Sequence, residues 1–162
     1  MRRLLVVAVL AVAVAPPALA VDPRFWITAI TVANANLHWS KAEYESKWSG
    51  PVRFDRLENG YSRLHFSRRH LEVYFKRGKT GGVAILTWDR RDRTLDDIGP
   101  CATVAAFERA YPGTKTIQQD GRTLAYKLGR LVFSVKGNRI ANVMLALPSV
   151  SRYLGVLASR CR

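Results

Sequence analysis

Cysteine is scarce, with only Cys101 and Cys161 in 162 residues. That excludes a small scaffold stapled by several disulfides and any four-cysteine zinc ribbon. Histidine is scarcer than metal chemistry wants. Only His38, His65 and His70 occur, His65-x4-His70 is not a metal-ligand spacing on a helix, and Glu72 is the one carboxylate close by. Acidic residues number 12 against 26 Lys and Arg. Asp89, Asp92, Asp96 and Asp97 are interrupted by arginines, and they lack the Asp-x-Asp-x-Asp-Gly order of a calcium loop. Gly78-Lys79-Thr80 lacks the upstream glycine of a phosphate loop. No serine stands in a nucleophile-elbow context. These absences leave no catalytic, metal or cofactor signature, so the reading is non-enzymatic and cofactor-free. Long apolar runs are missing too. The longest covers residues 4–15, short of the roughly 20 residues that span a bilayer.

That short run has a different use. Arg2 and Arg3 precede it, Pro16-Pro17 break it, and Ala18-Leu19-Ala20 follows with the small-x-small pattern that signal peptidase reads. Together these make a secretory signal peptide over residues 1–20, with cleavage after Ala20 and an extracytoplasmic or secreted mature chain. The residue directly after the cleavage point is Val21 and not a cysteine, so a lipid anchor is not indicated. Loss of Arg2 and Arg3 leaves 24 basic against 12 acidic residues, a net charge of +12. In an oxidising compartment Cys101 and Cys161 are expected to pair. The disulfide would close a loop of about sixty residues, worth roughly 4 kcal/mol in the chain-entropy account.

The mature chain compares with itself. Residues 40–50 and 103–113 align at an offset of 63, with Ala42/Ala105, Glu45/Glu108 and Gly50/Gly113 identical and Tyr44/Phe107 and Trp48/Tyr111 both aromatic. Residues 62–77 and 122–137 align at an offset of 60 through Leu64/Leu124, Leu71/Leu131 and Lys76/Lys136. Ser40 with Glu43 spells a capping box, and Trp39 with Tyr44 a hydrophobic staple. After each helix the period falls to two, with glycines at the turns. The expectation is an α+β fold of two tandem helix-plus-three-strand units. Residues 21–98 would form the first and 99–162 the second, in one antiparallel sheet with the helices on one face. The charged stretch 89–99 reads as the linker between them.

Helix followed by three strands, twice, in a small exported chain resembles the tandem-repeat β-lactamase-inhibitor protein fold. The single unit is similar to the small outer-membrane-assembly lipoprotein domain. The residues that carry this are Ser40-x-x-Glu43-Tyr44 through Trp48-x-Gly50, and Thr103-x-x-x-Phe107 through Tyr111-x-Gly113. The resemblance implies a binding protein with no active site. No inhibitory contact residue carries over.

Strand alternation places Arg63, His65, His70, Tyr74 and Lys76 on the face away from the helices, beside Glu72. The second copy adds Lys127, Arg130 and Lys136 beside Ser134, and Trp88 joins them from the third strand. Arg, Tyr and Trp are the residues that anchor protein interfaces. The same surface and its charge suit an anionic cell-wall polymer or lipid. Two function classes follow for a monomer without specific nucleic-acid binding: a protein-recognition module of inhibitor-like kind, and an envelope protein held by charge. The first predicts modest salt dependence; the second predicts binding that collapses with salt.

Overall fold

The computed structural model describes residues 26–119 and 122–148. The export segment and Cys161, the partner expected for Cys101, lie outside the described residues. Within them the chain is mostly β. A two-stranded hairpin, β1 Thr31–Val32 and β2 Ala35–Asn36, precedes helix α1, Lys41–Lys47. Strands β3 Val52–Arg56, β4 Tyr61–Phe66, β5 Leu71–Lys76 and β6 Ala84–Thr87 follow. Helix α2, Val104–Ala110, then leads into β7 Lys115–Gln119, β8 Arg122–Leu128, β9 Leu131–Lys136 and β10 Arg139–Ala146.

The expectation of an α+β fold built from two helix-plus-three-strand units is overturned. Ten strands in two antiparallel sheets dominate the described residues, with two helices of seven residues each. The helices are short because Trp48 and Tyr111 at their C-caps leave helical dihedrals. The chain gained there goes into two strands that show no clean alternation. β3 (VRFDR) and β7 (KTIQQ) form the two edges of the large sheet, so neither of their faces is sealed. Polar residues therefore occur at both parities.

The large sheet runs β3-β4-β5-β6-β10-β9-β8-β7. One face carries Leu64, Phe66, Leu71, Val73, Ile85, Phe133, Val143 and Leu145, which join one core with Tyr44 of α1 and Phe107 of α2. Both helices start at side-chain caps. Ser40 and Glu43 bond reciprocally in a capping box, and Thr103 accepts from the Ala106 N–H. Phe107 packs 4.5 Å from Tyr126 and 4.8 Å from Phe133, centroid to centroid. Tyr44 stacks with Trp48 at 6.2 Å and meets Phe75 edge-on at 5.8 Å. Gly82 lies against Tyr44, where an added Cβ would come within 2.5 Å of the phenol oxygen. Among the described residues no helix is long and apolar enough to cross a membrane.

Phe107→Ala should destabilise the fold by about 3–5 kcal/mol, because it removes the ring that anchors α2 to β8 and β9. Urea denaturation followed by tryptophan fluorescence measures it, and a loss under 1 kcal/mol would mean that α2 contributes little to the core.

Candidate functional site

The second face of the large sheet is set by the cross-strand register. Asp55 on β3, Arg63 on β4 and Tyr74 on β5 stand in one row. Arg53, His65, Glu72 and Leu86 form the next. Glu72 is 5% exposed and is the hub of the first four strands. It accepts from Arg63 Nη1 at 3.0 Å and from the Tyr74 hydroxyl at 2.5 Å, and it lies 2.9 Å from His65 Nδ1. Arg63 turns its other nitrogens to Asp55, with Nη2 at 2.6 Å and Nε at 3.2 Å. That hydrogen bonding holds the Asp55 carboxyl below its ordinary range. Burial, helped by Glu72, pushes the Tyr74 phenol well above its ordinary value.

Trp88 follows β6 directly, and its ring packs against two imidazoles. His65 is 5.7 Å away, and His70 is stacked at 6.3 Å with an interplanar angle of 16°. His70 has the left-handed φ of 52° in the turn between β4 and β5, and its carbonyl accepts from the Trp88 N–H at 3.0 Å. The Trp88 indole Nε1 is buried with no hydrogen-bond partner.

A buried ionic clamp fixes this turn from the other side. Arg69, next to His70, donates to Asp89 at 2.7 Å and to Asp92 at 2.6 Å. Asp89 is next to Trp88, so the Arg69–Asp89 pair ties together the chain neighbours of the two stacked rings. Thr87 donates to Asp92, and Arg91 closes on Asp89 at 2.7 Å. Burial raises the Asp92 carboxyl to about 6 against the pull of Arg69. Asp89 is lowered instead: its burial acts upward, and its bonds to Arg91 and the charge of Arg69 outweigh that. The stretch 89–99, expected from its charge to be a linker, supplies both acids of the clamp. Nothing local in it shows that its acids meet Arg69 some twenty residues earlier.

The structure thus brings Arg63, His65, His70, Tyr74 and Trp88 together, and the others stand apart. Lys76 sits at the end of β5 with its ammonium 5.6 Å from the Tyr61 ring. Lys127 is exposed on β8, in register with Lys115. Arg130 lies in the β8–β9 turn with its Nε buried and unbonded. Lys136 is exposed at the end of β9, opposite Arg139. Glu72 and Asp55, which organise the cluster, were not among the expected site residues. The pairing of β3 with β4 is what would have pointed to Asp55.

Among the described residues no group of three or more His, Cys, Asp or Glu side chains could hold a metal ion. No family model matches the chain, and neither a curated protein nor a solved structure is significantly similar to it.

Glu72→Ala should cost about 3 kcal/mol, since it strands Arg63 and the Tyr74 hydroxyl in a largely dry site. An unchanged urea midpoint would show that water replaces Glu72 freely. Asp92 gives a pH signature. Its folded-state value lies above the unfolded one, so the stability from its protonation is full below about pH 4 and is lost as pH rises through about 6. Asp92→Asn should remove that decline from the stability–pH curve, and an identical slope in both proteins would assign it elsewhere.

Proposed function

We propose that the mature chain, residues 21–162, is an exported, non-enzymatic, monomeric binding protein that recognises a protein partner through the His65–Trp88–His70 stack with Arg63 beside it. One observation carries this reading. The stack is held rigid from both sides, by Glu72 on His65 and by the Arg69–Asp89 clamp at the chain neighbours of His70 and Trp88. Preorganised Trp and Arg side chains lose little freedom on binding, which is what anchor residues need. The acceptor oxygens of Glu72 are engaged by its neighbours, so the cluster supports recognition better than proton transfer. The signal-peptide pattern and the Cys101–Cys161 pairing expected of an exported chain support the exported part of this reading.

A second reading has its own observation. Lys115 and Lys127 face each other across the edge hairpin β7–β8. Like charges directly opposite are unfavourable in a sheet, and an anionic cell-wall polymer or lipid would relieve them. The mature charge of +12 adds a general attraction.

Pull-down with residues 21–162 against the producer's envelope and secreted fractions, at low and high salt, separates the two. Recognition through the stack predicts one protein retained at high salt, with binding weakened about thirtyfold by Trp88→Ala. Broad retention that vanishes with salt, and is weakened by Lys115→Gln with Lys127→Gln but not by Trp88→Ala, would replace it with the charge reading.

A further inference from the structure

At the opposite end of β4 and β5 from the Trp88 stack, two turns lie side by side. One joins β3 to β4 and the other follows β5. Gly60 in the first and Gly78 in the second have positive φ, 73° and 76°. Arg77 donates its N–H to Gly60 O at 2.8 Å, which laces one turn to the other. This brings Arg56 from the end of β3, Lys76 and Arg77 from the end of β5, and Lys79 from the next turn around one cavity of about 400 Å³. All four side chains belong to exposed residues. None of them forms an ion pair among the described residues. No acidic residue among those described lines the cavity. Asp55 is engaged by Arg53 and Arg63, and Glu58 sits in the neighbouring turn outside the lining.

Aromatic rings stand beside these charges. The Lys76 ammonium lies 5.6 Å from the Tyr61 ring centroid, and the Lys41 ammonium of α1 lies 4.4 Å from that of Phe54. Such contacts hold a cation in place without neutralising it. Phe54 remains 44% exposed beneath Lys41, so ring surface is left open next to the cations. Four like charges around one cavity repel each other, and a bound anion would offset that repulsion.

We propose that this cleft binds a phosphomonoester, with the phosphate on Arg56, Arg77 and Lys79 and the esterified body against Phe54. Guanidinium forks match phosphate oxygens bidentately. A phosphomonoester carries about −1.5 to −2 charges near pH 7, so it neutralises more of this cluster than a carboxylate can. The volume is at the small end of the roughly 300–1,000 Å³ of small-molecule sites. That suits one sugar phosphate or one lipid headgroup, and not a folded partner. The cleft uses neither Trp88 nor the β7–β8 hairpin, so the inference is independent of both functional readings above.

Titration of residues 21–162 with glucose 6-phosphate at fixed ionic strength, followed by nuclear magnetic resonance of the backbone amides, tests it. Saturable shifts are expected at Gly60, Arg77, Gly78 and Lys79, and not at Lys115 or Lys127. Glucuronate, the same ring with a carboxylate, should bind several-fold more weakly. Arg56→Gln with Lys79→Gln should weaken glucose 6-phosphate about tenfold. The urea midpoint of that variant should hold or rise, since neither side chain has an ion-pair partner to lose. Vesicles of phosphatidylcholine carrying phosphatidic acid separate the two sources of the phosphate. Retention that glucose 6-phosphate competes away, and that the double variant loses, assigns the lipid headgroup. Saturable glucose 6-phosphate binding without such retention assigns a soluble sugar phosphate. Equal affinity for glucuronate, equal affinity in the double variant, or shifts that never saturate and spread over all the basic residues would overturn the proposal.

Discussion

Everything in this molecule hangs on the pairing of β6 with β10. Ala84, Ile85, Leu86 and Thr87 stand opposite Ala146, Leu145, Met144 and Val143, and all eight are buried. The strands on either side, β3–β5 and β7–β9, connect only through this seam in the large sheet. Its alternation feeds both faces: Ile85, Val143 and Leu145 enter the helix-side core, whereas Ala84, Leu86, Met144 and Ala146 build the second apolar patch. A one-residue slip here would exchange the two sets. The bulge at Ala141 in β10 sits beyond the seam, between Ile140 and Asn142. It lets Ile140 and Val143 both face the helices although they are three residues apart.

The seam also places the candidate site. Where β6 ends at Thr87, the chain passes at once into Trp88 and Asp89. Thr87 faces the helix side, where it meets Asp92, and Trp88 faces the other side, against the two histidines. The same three residues therefore end the strand, present the ring and start the ionic clamp. Arg69 is nearly buried, and such a charge is tolerated only with full pairing. Asp89 and Asp92 supply that pairing, so the position of Trp88 is tied to a cluster that cannot be loosened cheaply.

Much of this was legible in the sequence where short-range chemistry decides. The Ser40–Glu43 box and the Thr103 cap are in place, and β4, β5, β8 and β9 fall where apolar residues alternate. The errors share a cause. Tyr44 and Trp48 read as one helical stripe, and their rings do stack, but Trp48 reaches that contact from an extended backbone after the helix has ended. β3 and β7 lack an alternating pattern because edge strands have no sealed face. Gly81 and Gly82 read as turn glycines, whereas an added Cβ at Gly81 would meet His38 O at 2.5 Å, so close packing also demands them. The Arg69–Asp89–Asp92 clamp depends on pairing across twenty residues, which no local pattern shows.

The excess of basic residues has a structural use besides any ligand. The large sheet is open at β3 and β7, and an open edge invites pairing with another chain. Arg53, Arg56 and Lys115 occupy these edges and are exposed. Repulsion between such edges in two copies works against sheet extension, and that role needs no partner. The charge at Arg63 is different in kind, because Asp55 and Glu72 already neutralise it. A count of arginines and lysines therefore overstates the cationic field around the candidate site. Specificity there has to come from the shape of the Trp88 stack, and long-range attraction from the edges.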